Sequence, residues 1–183
     1  MKPGVFIALL RGINVSGQKP VLMADLQKLF VKLGFKDAKT FIQSGNVVFS
    51  APGKRAEKLA ADLEAAIGKA FGFEVPVIVR GLEEWRAILA ANPYAKRKAG
   101  DGGRVYITFL ESAPAKPAAA ALEAIEDKLD EVSLRGKEAF LYIRGGHGKS
   151  VFSNAFVEKK LGVRSTTRNI ESARKLLALA ETL

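Results

Sequence analysis

The sequence predicts an α+β protein of two ferredoxin-like, split βαβ subdomains packed together, one over residues 1–80 and one over residues 81–183 with closing helices. Three observations lead there. Apolar segments of the first 80 residues follow the order strand, helix, two strands, helix, strand. Strand, helix, hairpin and helix then recur in the second half. A hydrophobic content of 48% over 183 residues is enough to bury a substantial core.

Val5 to Leu10 is a near-continuous apolar run, the pattern of a strand covered on both faces. Arg11 and Asn14 interrupt it well before membrane length and no small-residue cleavage pattern follows, so it reads as the first buried strand of a soluble protein. Met23, Leu26, Phe30 and Leu33 recur at helical spacing, with Gly34 as the helix stop. Thr40 to Ser44 and Val47 to Ser50 read as paired strands around a two-residue Gly45-Asn46 turn. An alanine-rich helix from Arg55 to Phe71 presents Leu59, Leu63 and Ile67 on one face, and Val75 to Val79 is the next strand.

Gly81 opens the second half. A helix carrying Trp85, Ile88 and Leu89 runs to Asn92-Pro93, and a polar loop from Lys96 to Gly103 leads into the strand Val105 to Leu110. After Pro114 and Pro117 an alanine-rich helix extends to near Leu129. Val132 to Leu134 and Ala139 to Ile143 pair around Arg135-Gly136-Lys137, and amphipathic helices over Val151 to Leu161 and Ile170 to Leu183 close the chain.

Composition excludes several chemistries. With no cysteine there is no disulfide, thiolate nucleophile, zinc knuckle or iron–sulfur cluster, and a cytoplasmic address is expected. The net charge of +10 favours anionic partners, but 12 basic and 6 acidic residues in 1–80 against 17 and 13 in 81–183 leave no dominant basic block. The lone histidine, His147, sits in a glycine-rich loop without a neighbouring carboxylate, a poor setting for a Ser-His-Asp mechanism. Gly145 to Ser150 lies between a strand and a helix, yet a Walker loop requires glycine at position 143, where this chain has Ile143.

Three polar strings at the ends of apolar segments are the candidate site: Leu9 to Val15, Ile42 to Asn46, and Ser165 to Asn169. Arg, Asn, Gln, Ser and Thr are costly at the margin of a core unless they are bonded. Arg11 and Asn14 offer a guanidinium fork and a carboxamide, and Gly12 lets the backbone approach a ligand. Gln43, Ser44 and Asn46 flank the hairpin turn, which by itself accounts for Gly45 and Asn46. Thr166, Thr167, Arg168 and Asn169 precede the last helix, where Asn169 is an N-cap and the helix N-terminus favours anions. For each string a purely structural bonding role is the alternative. None contains Asp, Glu, His or Cys, so metal hydrolysis and carboxylate acid–base catalysis lack their residues there. No metal site is expected, and neither a cofactor nor a catalytic residue is named by these patterns.

The strings Ile7-Ala-Leu-Leu-Arg-Gly-Ile-Asn-Val15, Met23-Ala-Asp-Leu-Gln-Lys-Leu-Phe-Val-Lys-Leu-Gly-Phe35, Thr40-Phe-Ile-Gln-Ser-Gly-Asn-Val-Val-Phe49 and Leu161-Gly-Val-Arg-Ser-Thr-Thr-Arg-Asn169 together resemble the uncharacterised bacterial family DUF1697. The resemblance covers nearly the whole chain and implies ferredoxin-like subdomains; it implies no activity. It carries over to Arg11, Gly12, Asn14, Gln43, Ser44, Gly45, Asn46, Thr166, Thr167, Arg168 and Asn169. Ile170-Glu171-Ser172 departs from the tryptophan and threonine the family pattern leads one to expect. The expected function is binding of an anionic or nucleotide-like small ligand in a cleft between the halves. The alternative is a non-specific nucleic-acid binding module using the charge.

Overall fold

The structure is a computed structural model that describes residues 4–97 and 102–183. Residues 98–101 of the Lys96 to Gly103 loop lie outside the described residues. Two four-stranded antiparallel sheets and six α-helices make up an α+β architecture. Backbone proximity separates the chain into one unit of Met1–Ala87 with Arg174–Leu183 and another of Ile88–Ala173. The first break falls seven residues beyond the division at residues 80 and 81 that the sequence leads one to expect.

The first half runs β1 (Val5–Leu10), α1 (Met23–Lys32), β2 (Lys39–Phe41), β3 (Asn46–Ser50), α2 (Ala56–Phe71), β4 (Val77–Gly81) and α3 (Leu82–Ala90), the last crossing the break after Ala87, with sheet order β2-β3-β1-β4. Every residue of β1 is buried, which is why its sequence is continuously apolar instead of alternating. Phe6, Ala8 and Leu10 with Val47, Phe49, Val77 and Val79 pack under Leu26 and Phe30 of α1 and Leu59, Leu63 and Ile67 of α2. Phe30 meets Phe49 edge-on at 5.2 Å, the favoured quadrupole geometry. The turn between β2 and β3 spans four residues, Ile42 to Gly45, not the two of a Gly45-Asn46 turn. Asn46 is the first residue of β3 and pairs with both Phe41 and Leu9.

The second unit holds β5 (Arg104–Leu110), α4 (Lys116–Glu123), β6 (Glu131–Arg135), β7 (Glu138–Ile143), α5 (Asn154–Leu161) and β8 (Ser165–Asn169), in sheet order β6-β7-β5-β8. Here α4 ends six residues before Leu129. The helix expected from Val151 begins only after Ser153, whose hydroxyl accepts the Phe156 amide at 3.3 Å. The principal correction is β8. Ser165 to Asn169, which the sequence pattern assigns to no element, is a strand paired along β5 ahead of the final helix α6 (Ile170–Ala180).

With β8 in place, both halves run strand, helix, strand, strand, helix, strand, helix, and the two sheet orders correspond strand for strand. A short sequence repeat accompanies this. Arg80 to Ala90 and Arg168 to Ala178 share Arg, Glu, Arg, Leu and Ala at identical spacing, Arg80/Arg168, Glu83/Glu171, Arg86/Arg174, Leu89/Leu177 and Ala90/Ala178. In each half the leading arginine is buried and lies opposite an isoleucine of the central strand, Ile7 for Arg80 and Ile107 for Arg168.

Candidate binding site in the first unit

The first two polar strings meet. Where β1 ends, the Leu10 amide donates to the Gly45 carbonyl at 2.8 Å and the Arg11 amide to the Pro76 carbonyl at 3.0 Å. Arg11 is half-buried beside the hairpin turn and the entry to β4, and Gly12 takes a left-handed φ of 71° with open space around it. Gly45 makes the closest approach. A Cβ there, at φ 76°, would lie 2.7 Å from both Ile13 Cδ1 and Leu10 Cβ.

Asn14 binds the two loops together. Its Nδ2 donates to the carbonyls of Val21 and Gln43, both at 2.9 Å, and its Oδ1 accepts the Val21 amide at 2.8 Å. Both carboxamide protons are thereby committed inside the protein, as the structural alternative requires. Asn46 is fully buried, and its Nδ2 donates to the Phe41 carbonyl and to Ser44 Oγ, both at 2.9 Å. Gln43 is exposed in the turn, so its direction is not set by strand alternation. Lys19 closes the far side of the first loop by donating from Nζ to the Glu74 carbonyl at 2.6 Å.

Backbone strain concentrates here. The non-glycine residues with positive φ among the described residues are Asn14 (55°), Ser16 (50°), Lys19 (46°) and Ile42 (50°), all in these two loops. A β-branched isoleucine in that region is a steric outlier, and such residues cost about 1–3 kcal/mol each. Val15, Leu22 and Ile42 are also 58%, 70% and 49% exposed, so these segments present apolar surface.

The third string forms its own network in the second unit. Thr167 Oγ1 donates to Asn154 Oδ1 at 2.7 Å and lies 2.8 Å from Thr108 Oγ1, while the Ser165 amide donates to Glu158 Oε1 at 2.6 Å. Arg168 is only 7% exposed; its Nη1 donates to Thr166 Oγ1 and to the Thr167 carbonyl, both at 2.8 Å. Burial lowers its pKa to about 10, which leaves the guanidinium charged at neutral pH. Asn169 Oδ1 accepts the Ser172 amide at 2.7 Å, the cap its sequence position indicates. Arg80, also buried and with its Nε 3.3 Å from Glu84 Oε1, belongs to none of the polar strings; the repeat with Arg168 is the signal that finds it.

A cavity of about 480 Å³ in the second unit is lined by Tyr94, Glu123, Glu126, Asp127, Asp130 and Glu131. Four of its five carboxylates are committed locally: Glu123 accepts the Leu134 amide, Asp127 those of Leu129 and Asp130, and Asp130 that of Arg144, while Glu131 pairs with Arg97. Burial, with help from the Glu131 carboxylate, pushes the Tyr94 hydroxyl up to about 12. This acidic wall repels anions. Among the described residues no group of three His, Asp or Glu side chains has metal-holding geometry, and no helix is long and apolar enough to cross a membrane.

The family described as "Protein of unknown function (DUF1697)" matches residues 4–140, three quarters of the sequence and both meeting loops. The chain belongs to the DUF1697 family. The match ends before Ser165, so the third string lies outside it. The conserved bacterial protein SP0830 from Streptococcus pneumoniae has a similar structure, with a TM-score of 0.74 and 22% identity over 97% of this chain and 98% of that one. At that identity the likeness is one of fold. No curated protein matches the chain significantly.

Proposed function

We propose that this DUF1697 protein binds an anionic or nucleotide-like small molecule at the paired loops of its first unit, as a binding protein or as an enzyme whose reaction these residues do not name. Arg11 supplies charge, Gly12 lets the ligand approach the backbone, and Gln43 and Ser44 supply polar contacts from the turn. Asn14 and Asn46 hold the loops in shape. Thr166, Thr167, Arg168 and Asn169 remain in the proposal as a second polar set, with Arg168 acting through its charge. The observation that carries the reading is that, among the described residues, the left-handed non-glycine residues all fall in two loops joined by Asn14. Strain of this kind persists where the surroundings over-determine it, and it gathers at ligand clamps.

We also infer that each half is ferredoxin-like; the β2-β3-β1-β4 order with every neighbour antiparallel supports this, since β3 then lies inserted between β2 and β1. The cytoplasmic address rests on the cysteine-free composition. The nucleic-acid alternative is less well supported. The large exposed apolar residues are aliphatic, and base stacking on single strands needs aromatic platforms.

The test is a thermal-shift panel of nucleotides and phosphorylated metabolites on wild type and Arg11→Ala. A stabilising compound whose effect disappears in Arg11→Ala is the expected result. If stabilisation is unchanged in the variant, the ligand does not use this site. Sub-micromolar oligonucleotide binding that survives about 200 mM salt and is lost in Arg11→Ala puts the nucleic-acid module first.

A further inference from the structure

The loop after β7 is separate from the site above. It runs Arg144-Gly145-Gly146-His147-Gly148-Lys149-Ser150, with glycine on both sides of the histidine and a single 3-10 turn over His147–Lys149. Gly146 takes φ 85°, so the chain turns sharply before the imidazole. Two backbone bonds hold the turn, Lys149 to the Gly146 carbonyl at 3.0 Å and Ser150 to the His147 carbonyl at 3.2 Å. Their amides are therefore unavailable to a phosphate.

The His147 ring lies 4.9 Å from the Tyr106 ring of β5, tilted by 38°. Its Nε2 is buried and has no hydrogen-bond partner among the described residues. A neutral imidazole tolerates this when Nε2 is the unprotonated acceptor, at the cost of one unmade bond. An imidazolium does not, because both ring nitrogens then carry protons and a buried charged donor has nothing to receive it. Asp130, on the segment leading into β6, is the charged group that acts on His147 and favours protonation, but it already accepts the Arg144 amide at 3.1 Å. From β5 the facing titratable group is Tyr106.

We propose that the glycine-flanked loop around His147 is an acid-opened latch: neutral His147 holds it closed on Tyr106, and protonation releases it. Desolvation sets the direction by holding the histidine below its ordinary pKa, with Asp130 only partly opposing. The open loop therefore binds the proton more readily, so closure is favoured above the ordinary histidine pKa of about 6.5 and weakens as pH falls below it. The latch leaves both sheets intact, because β7 ends at Ile143 and α5 starts only at Asn154.

His147 is the single histidine, so its imidazole NMR signals can be followed without assignment ambiguity in the full chain. The expected titration midpoint lies below about 6.5. Amide exchange over residues 145–150, corrected for intrinsic rates, should show opening increase several-fold from about pH 7.5 to about pH 5.0. The ceiling is about 30-fold, set by an ordinary histidine in the open state. Amides of β7 serve as the control for unfolding of the second unit. His147→Phe keeps a ring against Tyr106 without a titrating group, and its loop opening should not depend on pH. A midpoint at or above about 6.5, or acid-dependent opening that persists in His147→Phe, overturns the proposal.

Discussion

Gly45→Ala tests whether the two polar strings are fitted together at contact distance. Two costs arise. An L residue at φ 76° gives up about 1–2 kcal/mol to left-handed strain, of which roughly 0.4–1 kcal/mol is recovered because alanine restricts the unfolded chain. The added Cβ also meets Leu10 Cβ and Ile13 Cδ1 at 2.7 Å. Leu10 Cβ is fixed by the fully buried strand β1 and cannot swing aside as a side-chain tip can, so overpacking adds about 1–3 kcal/mol. The expected total is about 1–4.5 kcal/mol.

Gly12→Ala supplies the matched control. Its φ of 71° imposes nearly the same backbone strain, but a Cβ there would meet nothing within 4 Å, so about 1 kcal/mol is expected. Trp85 is the single tryptophan, fully buried in the first unit, and its fluorescence in a urea titration reports that unit's unfolding. The difference between the two variants isolates the clash. A difference below about 0.5 kcal/mol at equal urea dependence refutes the close fit of Gly45 against Leu10 and Ile13.

Asn14→Ala removes three hydrogen bonds and places alanine at φ 55°, so a loss of about 2–4 kcal/mol is expected in the same titration. Asn14→Asp keeps the acceptor for Val21 and should fall between Asn14→Ala and wild type; equal stability of all three contradicts the clamp. Ile42→Asn should stabilise the unit by about 0.5–1.5 kcal/mol, because asparagine tolerates φ 50° and the isoleucine is already 49% exposed. If the strain serves binding, stabilisation by any ligand from the thermal-shift panel falls while the apo protein gains. A destabilised Ile42→Asn means the apolar contact outweighs the strain.

Elements with strong apolar periodicity are legible in the sequence. The β1 run and the faces of α1 and α2 follow directly from burial, and glycines 34 and 72 stop their helices through left-handed conformations that glycine adopts at low cost. The departures have a common cause, residues whose partners are distant in sequence. Ile42 reads as a strand residue because β-branched side chains favour strands, yet it turns left-handed where Asn14 fixes the Gln43 carbonyl. Ser165 to Asn169 contains no aliphatic residue, so no alternation marks it. Its burial depends on Asn154, Glu158 and Thr108, which satisfy it side chain by side chain.

That unmarked strand also conceals the duplication, because without β8 the second half lacks the counterpart of β4. The repeat in sequence begins where strand passes directly into helix, at Arg80 and Arg168, and continues along the helix; both arginines are buried. A buried arginine is costly unless its donors are met, so its recurrence at equivalent places makes this junction a constrained feature of each half. The polar strings divide on the same logic. Asn14, Asn46, Thr167 and Asn169 use their side chains to complete the fold, whereas Gln43 stands exposed at the loop pair. Composition alone could not separate these roles, since the same amide that closes a loop can orient a ligand. The bonds Asn14, Asn46, Thr167 and Asn169 make assign them to the fold, while the charge of half-buried Arg11 and the exposure of Gln43 mark the edge of the first unit where recognition should be sought.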